Sequence, residues 1–190
     1  MSPSRQAAKA RRRTELLSAA GRRFAADGFH ATTLTSIATA AGVSAPAVYR
    51  HFASKAELLS ALLVDVSEQL LAGGRAASQE ADPLAALCLH HARFAVTQPD
   101  TIRVQERDLT SLDPPSRHRV RRLQAEYVRL WIDALAPLLP GTDAAELSVR
   151  VHAAFGLLNS TPHGLRRSGP VPDAVGLLAS LAHAALTAER

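Results

Sequence analysis

The chain has 190 residues, of which 47% are hydrophobic, 21% charged and 4% aromatic, and its formal net charge is +5. That length suits one or two domains of about 100–200 residues each, and the composition is globular rather than disordered. A single Cys excludes an intrachain disulfide framework and any zinc finger built on two or more thiolates. No apolar run reaches the roughly 18 residues of a membrane span, and no apolar stretch follows the charged start as in a signal peptide. A soluble, cytoplasmic protein is expected.

Helix formers dominate, with 37 Ala and 27 Leu against 12 Val and 3 Ile. From about Gln6 to Asp27, Leu16, Leu17, Ala20 and Phe24 recur on one helical face, and Gly28 follows where a left-handed cap commonly ends a helix. Thr33 is an N-cap for a short helix carrying Leu34, Ile37, Ala38 and Ala41, which Gly42 stops. Ser44 is the next N-cap candidate, with Pro46 tolerated in the first turn of a helix over about Ala45–His51 that buries Val48 and Phe52. Ser54-Lys55-Ala56-Glu57 then reads as a capping box opening a longer helix through Leu58, Leu59 and Leu62.

Beyond it, Asp82-Pro83 starts a helix that ends near Gln98-Pro99-Asp100, and a shorter one covers about Pro99–Leu109. Asp113-Pro114 opens the longest periodic stretch, with Val120, Leu123, Tyr127, Leu130, Trp131, Ala134 and Leu138 on one face, until Pro140-Gly141-Thr142. Helical pattern resumes at Asp143, with a bend expected at Pro162. Ser168-Gly169-Pro170 precedes a last helix carrying Leu177, Leu178, Leu181 and Ala185. No useful strand alternation appears, so the expected fold is all-α: a three-helix head followed by a helical body, divided as 1–53 and 54–190.

The charge is uneven. Residues 1–60 hold nine Lys+Arg against three Asp+Glu, whereas residues 61–190 hold thirteen against fourteen. The dense start is Arg5, Lys9, Arg11, Arg12 and Arg13. A basic module joined to a neutral one is the footprint of phosphate-backbone binding, or else a solvated helix face.

Two short helices joined at Ala41-Gly42-Val43-Ser44 form a helix-turn-helix, whose second helix enters the DNA major groove. Ala45, Pro46 and Ala47 let the backbone approach base edges and thymine methyls, and Arg50 reaches a guanine or a phosphate. Tyr49, His51 and Lys55 suit phosphate oxygens. The bland alternative is a tight helical hairpin with Tyr49 and His51 as packing.

The run from Thr32 to Ser44, then Val48-Tyr49-Arg50-His51-Phe52, then Ser54-Lys55-Ala56-Glu57-Leu58-Leu59, resembles the DNA-binding domain of the TetR/AcrR family of bacterial regulators. The resemblance implies that Thr33, Tyr49, His51 and Lys55 hold phosphates and that Thr35, Ala45, Pro46, Ala47 and Arg50 face the bases. It also implies a homodimer on an inverted-repeat operator, paired through residues 143–167 and 171–188 as a four-helix bundle.

The body offers little enzyme chemistry. It lacks a G-x-S-x-G elbow, a Gly-rich phosphate loop and H-E-x-x-H. His90 and His91 point about 100° apart on a helix, and His152 and His163 are separated by Pro162, so no metal or other cofactor is expected. Cys88 reads as a small buried hydrophobe. Tyr127 and Trp131 share a helical face, and Phe94, Ile102, Leu109, Phe155 and Asn159 would complete a mostly apolar effector cavity. Core filling is the alternative for each. Arg117, Arg119, Arg121 and Arg122 are a solvated face or an anion receptor; the pattern of Arg121-Arg122, Tyr127, Trp131 and the run from Val151 to Ser160 resembles family members governing lipid or sterol breakdown, which implies an acyl-CoA thioester effector. The expected function is a ligand-released repressor. The rivals are a constitutive DNA-binding protein whose core is sealed around Tyr127 and Trp131, and an activator.

Overall fold

The computed structural model describes residues 4–160, 164 and 171–189. Among these the chain forms helices and no strand: α1 (Arg5–Asp27), α2 (Leu34–Ala40), α3 (Ala45–Tyr49), α4 (Lys55–Ala77), α5 (Pro83–Thr97), α6 (Pro99–Asp108), α7 (Pro114–Leu135), α8 (Ala144–Asn159) and α9 (Ala174–Thr187). Single 3-10 turns follow α6 and α7, at Leu109–Ser111 and Ala136–Leu138. The bend expected at Pro162, His163 and the Ser168-Gly169-Pro170 separator lie outside the described residues.

The local punctuation acts through backbone hydrogen bonds. Ser36 N–H donates to the Thr33 hydroxyl at 3.0 Å and Thr33 N–H to the Ser36 hydroxyl at 3.3 Å, a reciprocal cap on α2. At the other end Val43 N–H reaches Ala38 C=O and Gly42 N–H reaches Thr39 C=O, with Gly42 at φ +66°. This six-to-one and five-to-two pair satisfies the last carbonyls and needs a residue free to adopt left-handed φ. Asp82, Asp113 and Asp143 each accept a backbone N–H from the residue three positions on, starting α5, α7 and α8.

Two caps differ in detail from the sequence reading. Ser44 is extended, as an N-cap residue is, but its hydroxyl makes no capping bond. Ser54 does accept from Glu57 N–H at 3.0 Å, while the Glu57 carboxylate takes the N–H of Ala53, at 2.7 Å, rather than that of Ser54.

Two compact units emerge, and the divisions between them fall inside α4, α6 and α7. The first runs through Val66 and includes Arg103–Arg119. Leu16, Phe24, Ile37, Val48, Phe52, Leu58 and Leu59 are among its buried side chains. Arg107, from α6, donates to the Phe24 carbonyl at the end of α1 and pairs with the buried Asp108, which explains why this later segment belongs with the head.

The second unit comprises Ser67–Ile102 and the chain from Val120 onward. Here α9 packs on α5 and α8, and the core collects Leu84, Leu87, Cys88, Tyr127, Trp131, Leu135, Val151, Ala154 and Leu158. Burial on α9 is carried by Ala179, Ala182 and Leu186, whereas Leu177 and Leu181 are about half exposed. Small side chains at 179 and 182 let α9 approach closely, and Leu177 and Leu181 face outward. Leu138, expected on the buried face of α7, is exposed, because the chain leaves the α-helical path at Ala136-Pro137.

Candidate functional site

The first unit arranges α2 and α3 as a helix-turn-helix anchored from below. Val48 is fully buried and Phe52 nearly so, which fixes the roll of α3 and turns its other side outward. On that side Pro46, Tyr49 and Arg50 are exposed and Ala45, Ala47 and His51 half-buried, while Thr33 and Thr35 are exposed at the start of α2. The Thr33 oxygen accepts the capping bond, so its O–H remains available as a donor.

A basic surface adjoins α3. The Arg13 guanidinium lies 5.5 Å from the centroid of the Phe52 ring. Partial burial, then the charges of Lys9, Arg50, Arg12 and Arg13, hold His51 below the ordinary histidine range. Its neutral ring therefore offers either a donor or an acceptor, and an approaching anion favours protonation.

Lys55 is engaged within the protein. Its ammonium donates to the carbonyls of Thr32, at 2.8 Å, and His30, at 3.0 Å, and lies 4.6 Å from the Phe29 ring centroid. It ties the α1–α2 loop to the start of α4, which spacing along the chain gave no means to anticipate.

The second unit gathers Tyr127, Trp131, Phe94, Phe155 and Asn159 around a histidine that sequence reasoning had set aside. His91 Nε2 lies 3.1 Å from Asn159 Oδ1, and His91 Nδ1 lies 3.3 Å from the Tyr127 hydroxyl. The ring stacks on Phe155 at 4.9 Å, and Phe155 stacks in turn on Tyr127. Burial pushes His91 down to about 4, so it is neutral near pH 7, and raises Tyr127 above its usual range. The Trp131 indole N–H leans toward the Tyr127 hydroxyl yet meets no acceptor in hydrogen-bond geometry, leaving a buried donor unpaired.

The other sequence-predicted residues lie elsewhere. Ile102 is buried but stands outside this cluster, and Leu109 is half-buried in the first unit. Arg122 is exposed and, with Glu68, Leu71, Ala72, Arg75, Leu123 and Glu126, lines a groove of about 320 Å³. Across it Arg75 and Glu126 pair at 2.8 Å. His90 bonds to the Leu70 carbonyl and exposed His152 to Ser148, so neither pairs with a metal-ligating neighbour. Among the described residues no group of three His, Cys, Asp or Glu converges on a metal position. Burial holds the Cys88 thiol up at about 12, which keeps it protonated and unreactive.

Residues 16–62 match the family of bacterial regulatory proteins, tetR family, and residues 77–176 match the tetracyclin repressor-like C-terminal domain. The chain belongs to the TetR family. The relatives it matches are transcriptional regulators rather than enzymes. The HTH-type transcriptional repressor KstR2 of Mycobacterium tuberculosis is 30% identical over 136 residues, 65% of this chain and 64% of that protein. The HTH-type transcriptional activator FasR of Mycolicibacterium smegmatis is 46% identical over 66 residues, 35% of this chain and 30% of that protein. The matches thus span less than two thirds of these relatives' lengths.

Solved structures share the fold. KstR2 of M. tuberculosis superposes with a TM-score of 0.77 at 23% identity, covering 92% of this chain and 93% of that one. FadR of Bacillus subtilis, in complex with stearoyl-CoA, gives 0.71 at 17% identity over 92% and 97%. AibR, in complex with isovaleryl coenzyme A and operator DNA, gives 0.74 at 16% over 91% and 96%. Among the described residues no helix is long and apolar enough to cross a membrane.

Proposed function

We propose that this regulator is a cytoplasmic homodimeric repressor that binds an inverted-repeat operator and is released by an apolar or acyl-CoA-like effector. The observation that carries the reading is the outward face of α3, held by buried Val48 and bordered by basic α1. Thr35, Ala45, Pro46, Ala47 and Arg50 meet base edges, while Thr33, Tyr49 and His51 hold phosphates. Lys55 acts at the same surface chiefly by fixing the loop that presents Thr33. In this reading residues 1–53 read DNA and residues 54–190 dimerise and sense.

Dimerisation draws support from α8 and α9. Val149, Ala153 and Gly156 on α8 and Leu177, Leu181 and Ala185 on α9 are exposed at helical spacing, a small and apolar surface suited to a symmetry mate. Two-fold pairing of the heads then dictates an inverted repeat.

The effector site is placed at Tyr127, Trp131, Phe94, Phe155 and Asn159, with Arg122 and the adjoining groove receiving an anionic part; Ile102 and Leu109 are kept as outlying members. The unpaired Trp131 N–H supports a ligand bearing an acceptor oxygen, such as a thioester carbonyl. FadR and AibR, which share the fold, bind acyl-CoA thioesters. A Cβ on Gly74 would lie 2.4 Å from the Tyr127 ring, so displacing Tyr127 presses directly on α4, the helix both units share. A coupling of about 1–3 kcal/mol would lower operator affinity roughly 5–150-fold.

One observation favours an effector-free DNA-binding protein: Trp131 is fully buried and Tyr127 is 3% exposed, so their core is closed. Binding of the purified protein to the DNA flanking its own gene, with and without a panel of acyl-CoA thioesters, separates the readings. Release by one thioester supports the switch. Specific binding that no thioester disturbs supports the effector-free protein. Whether occupancy represses or activates follows from reporter expression with and without the regulator.

A further inference from the structure

The aromatic cluster of the second unit is unevenly buried. His91 and Tyr127 are each 3% exposed and Trp131 is fully buried, whereas Phe155 and Asn159, one turn apart on α8, are half-buried. The first three form a floor, and the α8 pair covers it. Phe155 is nearly parallel to two floor rings, tilted 23° from His91 and 17° from Tyr127, and almost perpendicular to Trp131 at 5.0 Å. The His91, Tyr127 and Phe155 centroids form a triangle with sides of 4.9, 5.7 and 5.7 Å. Phe155 is therefore laid across the other two rings rather than sandwiched by them.

The floor holds its shape without Phe155. Asn159 and the Tyr127 hydroxyl engage both nitrogens of His91, at 3.1 and 3.3 Å, so the imidazole stays in place when the Phe155 ring swings away. The swing uncovers a flat apolar surface with one buried donor, the Trp131 N–H, which has no acceptor in hydrogen-bond geometry. An unsatisfied donor in a native core calls for a partner.

The six side chains of the cluster, His91, Phe94, Tyr127, Trp131, Phe155 and Asn159, carry no charge near pH 7, because burial keeps His91 neutral and Tyr127 protonated. A carboxylate placed among them would lie buried with no cation to pair with it. A neutral carbonyl oxygen accepts from Trp131 without that cost. A ring or double bond conjugated with the carbonyl is flat enough to stack where Phe155 stacks.

We propose that Phe155 is a resident stand-in for the effector, displaced by an uncharged carbonyl conjugated to a ring or double bond: an aroyl or enoyl group rather than a free acid or a saturated chain. This selectivity rests on the effector reading above and adds which chemistry the site accepts. It also accounts for the closed core, since the protein's own ring fills the place, and the pre-organised floor limits the cost of exchanging one ring for another.

Trp131 is the single Trp of the chain, so its indole N–H gives one cross-peak in a proton–nitrogen correlation spectrum of the whole protein. Titration with acetophenone should move that peak downfield to saturation. Cyclohexyl methyl ketone, the saturated counterpart, should bind about tenfold more weakly, and benzoate, the charged counterpart, about a hundredfold or more. Phe155→Ala should bind acetophenone about tenfold more tightly than wild type while keeping both preferences. Phe155→Leu, which keeps the core filled without a stacking ring, should fall in between. A peak that acetophenone leaves unmoved in wild type and both variants overturns the stand-in. So does benzoate binding as tightly as acetophenone, or variants that bind no more tightly than wild type. If a saturated acyl-CoA thioester moves the peak where acetophenone does not, the effector site stands and its planar, uncharged selectivity falls. If an acyl-CoA thioester releases DNA and leaves the peak unmoved, the effector binds elsewhere and both fall.

Discussion

The Tyr127 hydroxyl donates to His91 Nδ1, and the pairing fixes the imidazole's tautomer. Asn159 Oδ1 accepts, so His91 Nε2 carries the proton and Nδ1 is bare. One neutral ring thereby joins α5, α7 and α8 inside an aromatic stack. The Trp131 indole N–H, beside them, has no acceptor in hydrogen-bond geometry.

Burial of a neutral imidazole makes stability fall with acid. His91 sits at about 4 in the fold against 6.5 in the unfolded chain. The unfolded state takes the proton first, so its contribution is complete above pH 6.5 and lost as the pH falls towards 4, by up to about 3 kcal/mol. Urea denaturation between pH 7.5 and 4.5 should show this decline in wild type and a flatter profile in His91→Gln, which starts less stable. Identical profiles would contradict the buried neutral ring.

Two glycine substitutions should fail for different reasons. In Gly74→Ala the new Cβ meets the Tyr127 ring, costing about 1–3 kcal/mol by overpacking. In Gly42→Ala nothing lies within 4 Å, and the cost of about 1 kcal/mol is that of a left-handed backbone. Pairing Gly74→Ala with Tyr127→Leu should recover part of the first loss and none of the second, read by chemical denaturation.

These positions also mark what the sequence made legible. Thr33, Gly42, Asp82-Pro83 and Asp143 act within four residues of themselves, so helix starts and stops could be read from spacing. Tyr127 and Trp131 were visible as a helical pair. His91 was not, because its partners lie 36 and 68 residues away and no local pattern encodes them. Lys55 was read as a phosphate ligand from its place at a helix start; its carbonyl partners lie 23 and 25 residues back. On α9, Leu177, Leu178, Leu181 and Ala185 suggested the buried face, yet Ala179, Ala182 and Leu186 carry the burial, and of the four only Leu178 packs against the core.

Lys55 and Tyr49 should separate structure from contact. Lys55→Gln removes two charge-assisted bonds to the α1–α2 loop and should lower stability by about 2 kcal/mol as well as weaken DNA binding. Tyr49→Phe deletes only an exposed hydroxyl and should leave melting unchanged while weakening binding by about 1 kcal/mol. Thermal denaturation alongside anisotropy titration reads both.

Val149→Asp or Leu181→Asp places a charge on the exposed face of α8 or α9. Sedimentation equilibrium should show association weakened by about a hundredfold or more. Both variants should keep their helical content, because neither side chain is buried in the protomer.

Hydroxyl-radical footprinting on the DNA flanking the regulator's own gene tests the reading head most directly. The account predicts protected patches related by a two-fold axis, with half-sites about 10 base pairs or a multiple apart. Arg50→Ala should lose the preference for that site at one base position per half-site while keeping non-specific affinity. Uniform protection along the duplex, the same in wild type and Arg50→Ala, would contradict base reading by α3.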